Sequence, residues 1–308
     1  MSKVSSLSVP DSLLLGPLLV LLAATGFSVK AILVKLAYVY RVDAITLLAL
    51  RMLFSLPFFL AMAWWSSRQI PVQALKQRDW LLVLFFGLAG YYCASLLDFY
   101  GLQTISAGLE PLTLFLNPTF VVLLSALLLG RRITRHDLLA FAICYAGIGL
   151  AFWNDLQKGE TGEVVLGTAL VLASAVSYAV YLVGSGELVR KMGSVRYSAY
   201  AMFAATLGVL VQFLLTRAMT DLVQPGPVYV YALAMAVFST VLPVWMMVEG
   251  MRRMGAASAS IIGMAGPIIT IFMASAFLNE AISAVQLAGA ALVLAGVSVI
   301  SFAKSPRI

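Results

Sequence analysis

Lys30, Lys35, Arg51, Asp98 and Glu110 stand inside otherwise apolar runs of this 308-residue chain. An ionised side chain withdrawn from water is costly, so it is neutralised by a partner or kept for a substrate or ion. Lys35, Arg51, Asp98 and Glu110 fall at one level, where the first and third apolar runs end and the second and fourth begin. Two cations and two anions at one level read as ion pairs, Lys35 or Arg51 with Asp98 or Glu110. Lys35 would otherwise extend its stem to the headgroups. Lys30 lies deeper, with no acid at its own level, and is the best candidate for meeting a substrate carboxylate. Asp98 or Glu110 would alternatively carry a coupling proton.

Pro118 and Pro267 each fall near the middle of an apolar run. Proline lacks an N–H and crowds the carbonyl four residues back, so the carbonyls of Leu114 and Gly263 are expected to be released. Asn117 and Gly266 directly precede the two prolines. A broken helix with free polar atoms can border a wet cavity but not lipid. Pro57 and Pro243 read as packing kinks. Tyr91, Tyr92, Tyr178 and Trp245 also stand near mid-run, away from the ends where aromatic belts collect. Rings with a polar tip suit a ligand apolar at one end and wet at the other. With Tyr181 and the hydroxyl of Ser258, and with Lys30, Asn117, Pro118 and Pro267, they make the expected substrate-binding set.

These residues need elements to hold them, and the chain offers ten apolar stretches of roughly the length that crosses hydrocarbon. They run 13–38, 44–65, 80–100, 108–129, 137–153, 165–187, 197–215, 228–249, 256–278 and 284–302. Composition agrees: 62% of residues are hydrophobic and 11% charged, against about 25% charged in a soluble chain. Mean hydropathy is +1.00. Of the 20 cations, fourteen lie at the N-terminus, in the second, fourth, sixth and eighth loops, or at the C-terminus; only Arg41, Lys158 and Arg217 lie in odd loops. Short cytoplasmic loops retain Lys and Arg. The expected fold is therefore an all-α integral membrane protein of ten transmembrane helices, both termini cytoplasmic, in a bacterial inner membrane.

An internal repeat underlies the ten. Residues 106–153 align without a gap on 255–302, pairing Pro118 with Pro267, Leu129 with Leu278 and Gly147 with Gly296. The halves are 1–153 and 154–308, five helices each. An odd number inverts the second half relative to the first, the plan of secondary transporters with a midplane site. Ala142, Ala146 and Gly147 in the fifth helix, and Ala291, Ala295 and Gly296 in the tenth, form small-residue faces that let backbones approach. They would serve a helix pair within the chain or a homodimer.

Other classes fit poorly. The formal charge of +7 is scattered through loops of one side without an RNA-binding aromatic pattern, so lipid and not nucleic acid is the expected partner. Cys93 and Cys144 lie in apolar stretches and suggest neither a disulfide framework nor a metal site. His136 is the only histidine and sits in a loop, which removes histidine-based triads and most metal centres. No Walker-type phosphate loop is present. No cofactor and no enzymatic activity are expected. Residues 13–29 imitate a signal peptide, but no small-residue cleavage site follows, so they are read as a mature helix.

The Ser106-Ala107-Gly108 opening of the fourth helix and the Gly255-Ala256-Ala257 opening of the ninth resemble the drug/metabolite transporter superfamily. So does Leu278-Asn279-Glu280 with the polar link behind it; the likeness is narrowest to the ten-helix EamA-type permeases. Arg131, followed by Arg132, departs from that pattern, which has a glutamate at the end of the fourth helix. The aromatic load is similar to that of the YddG-like aromatic amino-acid exporters. The resemblance implies export of amino acids or small metabolites through an alternately opened central cavity. Exchange of phosphorylated or nucleotide sugars is the rival use of the fold, but a dianion would want several deep cations, and the second half has none in its spans. A drug-cation exporter would want an acid where Lys30 stands. A membrane scaffold is the remaining alternative.

Overall fold

Backbone N–H and C=O groups have no water partner in hydrocarbon, so a spanning segment must satisfy them within itself. The computed structural model, which describes residues 11–69 and 75–303, does so with helices throughout; no strand occurs among the described residues. Among the described residues, nine helices are long and apolar enough to cross a membrane. In chain order they start from the first helix, Asp11–Tyr38, and the second, Ala44–Gln69. The third is Gln77–Gly101 and the fourth Leu109–Leu129. The fifth is Arg135–Leu156, the sixth Thr161–Gly184 and the seventh Ser194–Thr216. The eighth is Gly226–Met254 and the ninth reaches Leu278. A tenth helix, Ala284–Ala303, follows, with a shorter apolar segment, Ala284–Val299. The protein is a multi-pass membrane bundle.

Helix ends depart from the hydropathy pattern where polar caps act. Thr134 Oγ1 accepts the Asp137 N–H at 3.2 Å and Asp137 Oδ2 accepts the Thr134 N–H at 2.9 Å, a reciprocal cap that starts the fifth helix at Arg135 instead of 137. Gly184 ends the sixth helix before the expected 187, and a separate short helix, Gly186–Met192, follows it. Part of the expected loop 66–79 lies outside the described residues.

Four backbone irregularities recur at one spacing. The third helix widens to a π-turn at Leu88–Cys93, the eighth at Val237–Val241. The fourth helix breaks at Phe115–Leu116 between Leu109–Leu114 and Asn117–Leu129; the ninth breaks at Met264–Ala265 between Ala256–Gly263 and Gly266–Leu278. Gly130 and Asn279 end these helices in the left-handed region, at φ 67° and 55°. The next helices begin at Arg135 and Ala284. Each second member starts 149 positions after the first.

The fifth and tenth helices lie together. A Cβ on Gly147 would stand 2.6 Å from the Gly289 carbonyl oxygen, and one on Gly289 equally close to that of Gly147. Gly296 meets the Ala140 carbonyl in the same way, at 2.8 Å. These glycines thus serve a contact within the chain. Ala142, Ala146, Ala291 and Ala295 are exposed on the outer flanks of the pair and take no part in that approach. The expected homodimer through this face loses its glycines to the internal contact. One buried apolar cluster centres on the first, second, seventh and eighth helices, another on the fourth, fifth, sixth, ninth and tenth.

Candidate functional site

The two breaks face a common cavity of about 550 Å³. Leu114, Phe115, Asn117 and Pro118 border it from the fourth helix, and Gly263, Met264, Gly266 and Pro267 from the ninth. Pro118 and Pro267 cannot donate to Leu114 and Gly263, and both of those residues are on the wall. Ser28 Oγ donates to the Gly266 carbonyl at 2.8 Å, and Thr270 Oγ1 to the same oxygen at 3.1 Å. Asn117 Nδ2 donates to the Ala175 carbonyl at 2.9 Å, which joins the broken fourth helix to the sixth.

The charges gather at one side of this space. Lys30 Nζ lies 2.6 Å from Asp98 Oδ2 and 2.6 Å from Glu110 Oε1. Asp98 and Glu110 are 4% and 2% exposed. Lys30, Arg51 and Glu110 line the cavity. This corrects the expected pairing. Lys30 does have acidic partners, because its long stem reaches from its own level to theirs. Lys35 is partly buried and joins neither acid. Arg51 also joins neither: its Nε donates to Thr240 Oγ1 of the eighth helix at 3.3 Å, and its Cζ lies 5.5 Å over the Phe99 ring.

The aromatic expectation divides by rotation around each helix. Tyr91 and Tyr178 line the cavity. Tyr92, one residue on, turns to the seventh helix, where its hydroxyl donates to Gln212 Oε1 at 3.1 Å. Tyr181 is buried behind the wall, stacked between Tyr178 and Tyr197, with its hydroxyl 3.2 Å from that of Tyr91. Val244 and Met247 line the cavity, whereas Trp245 is 54% exposed on the outside of the bundle. Ser258 is exposed away from the cavity, while Ser260 and Thr270 border it. Tyr92, Tyr181, Trp245 and Ser258 are thus outside the wall, since neighbouring residues on a helix point about 100° apart. Ser28 and Thr240 were missed; single hydroxyls in apolar helices carry no distinguishing signal.

Beyond the charged cluster, one end of the bundle is tied by polar contacts. Asp155 accepts the Ser106 N–H at 2.8 Å and its hydroxyl at 2.9 Å. Glu280 Oε1 accepts the Ala107 N–H at 3.0 Å. Ser283 Oγ donates to Asn154 Oδ1, and Lys158 Nζ to the Ala281 carbonyl. Arg217 Nε donates to Asp43 Oδ1 at 3.0 Å. Burial raises the Asp43 carboxyl, but the Thr46 hydroxyl and N–H and the Arg217 guanidinium outweigh it and hold the group below the usual carboxylate range. At the positions 149 away, Ser106, Asn154 and Glu280 are matched by Gly255, Ala303 and Arg131, none of which can repeat these side-chain contacts.

An all-helical membrane bundle around a mostly apolar cavity with a few charges on its wall has the build of a small-molecule carrier. The model of the EamA-like transporter family matches residues 14–153 and 165–302. The chain belongs to that family, within the drug/metabolite transporter superfamily, and is a membrane transporter. It is 32% identical over 281 residues to the uncharacterized transporter YcbK of Bacillus subtilis, covering 89% of this chain and 88% of that one. It is 27% identical to a protein of Streptantibioticus cattleyicolor named "Probable terminal-alkyne amino-acid exporter", over 77% of this chain and 78% of that one. A crystal structure of a protein 20% identical superposes with a TM-score of 0.64 over 92% of this chain and 95% of the other, a likeness of fold alone.

Proposed function

We propose that the protein is a secondary transporter that exports amino acids or similar small zwitterionic metabolites across the bacterial inner membrane by alternating access. Ten helices cross the membrane with both termini in the cytoplasm. Residues 1–153 and 154–308 form two inverted halves that rock about the cavity. The π-turns, breaks, left-handed caps and helix starts spaced by 149 residues support the halves. The loop distribution of Lys and Arg supports the orientation. In that orientation the polar ties lie at the outer end.

The observation that carries the substrate class is the charge set of Lys30, Arg51, Asp98 and Glu110 beside an otherwise apolar and aromatic space. Two cations and two anions suit a ligand with both signs. Phe27, Phe115, Tyr91 and Tyr178 on the wall suit an apolar or aromatic side chain. The name of the Streptantibioticus cattleyicolor relative points the same way. A phosphorylated sugar would bring two negative charges to a cluster that already holds two acids, so that reading is weaker.

Counterflow in proteoliposomes, screening the common amino acids with and without a pH gradient, tests this. Exchange of hexose phosphates but of no amino acid would overturn it. Labelling of cysteines introduced near residues 14 and 299 checks the orientation; labels on opposite faces would remove the inverted plan.

A further inference from the structure

We propose that Arg51, and not Lys30, is the anion anchor of the cavity, and that it receives the single carboxylate of the transported molecule. This rests on the transport reading above. The two cations on the wall differ in what they already hold. Lys30 is tied to two carboxylates at 2.6 Å each. An anion arriving at its ammonium meets a site where negative charge already outweighs positive. Arg51 is 8% exposed and has no carboxylate bonded to it among the described residues. Its Nε is engaged by Thr240, and one face of its guanidinium lies over Phe99. Among the described residues no hydrogen bond engages the two terminal nitrogens, and Arg51 lines the cavity.

A guanidinium stays protonated in proteins. A buried one with no carboxylate bonded to it, and Asp98 acting on it only from a distance, is incompletely compensated, so it favours a ligand that brings more negative charge. The planar fork matches a carboxylate with two parallel hydrogen bonds. Thr240 and Phe99 fix the plane of that fork from the eighth and third helices. The ammonium of a zwitterion then meets Glu110 and the wall residues Leu114 and Gly263, which stand at the C-terminal, negative ends of two half-helices. A second negative charge has no free cation to meet. The class is therefore monocarboxylate.

The test uses purified protein in nanodiscs with six probes: L-leucine and L-phenylalanine, their carboxamides, and their deaminated acids, 4-methylpentanoate and 3-phenylpropionate. Binding is read by calorimetry and by thermal stabilisation. The wild-type protein is expected to prefer an amino acid over its carboxamide at least tenfold. Arg51→Gln should remove that preference, weakening carboxylate binding about ten- to a hundred-fold. Arg51→Lys should fall between, and Thr240→Val, which keeps the charge but frees the fork, should weaken it several-fold. The paired variant Lys30→Gln with Glu110→Gln, which also alters the wall, should lose less of the preference than Arg51→Gln. Retention of the preference in Arg51→Gln, or its loss in the paired variant alone, overturns the anchor. Equal binding of amino acid and carboxamide overturns the anchor and leaves amino-acid transport standing. Binding of the deaminated acids without the amino acids supports the anchor and removes the amino-acid reading. No binding of any carboxylate removes both. If Arg51→Gln fails to fold, Arg51→Lys and Thr240→Val still decide, since neither deletes a charge.

Discussion

Lys30 and Glu110 are 80 positions apart in the chain and 2.6 Å apart in space, the ammonium of the first helix against the carboxylate that opens the fourth. Asp98 shares the same ammonium. Two carboxylate oxygens held on one nitrogen can be no further from each other than twice that bond. Without Lys30 they repel across a medium that screens weakly.

Lys30→Gln should therefore destabilise the protein by about 3–5 kcal/mol, the cost of leaving buried charge unpaired. Adding Glu110→Gln should recover more than half of it. The check is thermal unfolding in detergent for the single and paired variants. A single variant as stable as wild type would mean that the acids do not depend on Lys30.

The fifth and tenth helices make a second testable contact. Gly147→Val places side-chain atoms where the Gly289 carbonyl lies 2.6 Å from a Cβ, and should cost at least about 1–3 kcal/mol by overpacking. Gly149 has nothing within 4 Å of its Cβ position, so Gly149→Ala should be neutral or slightly stabilising through helix propensity. Melting curves of the two variants, compared side by side, would contradict the packing described if they shifted alike.

Trp245 gives a control for the cavity wall. With 54% of it exposed on the bundle exterior, Trp245→Ala should leave counterflow of aromatic and small amino acids within about twofold of wild type, since surface changes are usually worth under 0.5 kcal/mol. Tyr178→Ala, which removes a ring from the wall, should slow the aromatic ones more. Selective loss of aromatic exchange in Trp245→Ala would return that residue to the site.

Acid should weaken the tie between Asp43 and Arg217. The Asp43 carboxyl has a lower pKa folded than unfolded, so its contribution is present above about pH 4 and fades as pH falls through the depressed value. Both side chains are about a third exposed, which limits the effect to under about 1 kcal/mol. Thermal midpoints of wild type and Asp43→Asn should differ near neutrality and converge in acid. A difference unchanged at low pH would point instead to the capping of Ile45 and Thr46.

The apolar runs showed the helices because a span in hydrocarbon needs an unbroken length of such residues, and Pro118 and Pro267 showed the breaks because proline removes a specific backbone bond. Rotation about each helix was not legible. The spans are apolar on every side, so no polar face marks the direction of the cavity, and Tyr91 could not be told from Tyr92 nor Val244 from Trp245. The Lys30 cluster was hidden for a related reason: residue level along a helix ignores the reach of a lysine stem. The π-turns at Leu88–Cys93 and Val237–Val241 carry no residue signature at all. Thr240, inside the second of them, was missed with it.

Lys30, Arg51, Asp98 and Glu110 are two cationic and two anionic side chains, which sum to zero when all four carry their charge. On the proposed cycle, a carrier with that balance moves no net charge through the electric field of the membrane when it resets empty, and none when it carries a neutral zwitterion. Each unbalanced charge would feel about 2.3 kcal/mol per 100 mV, so in that proposed cycle voltage would act only once the cargo itself, or a proton, tips the sum.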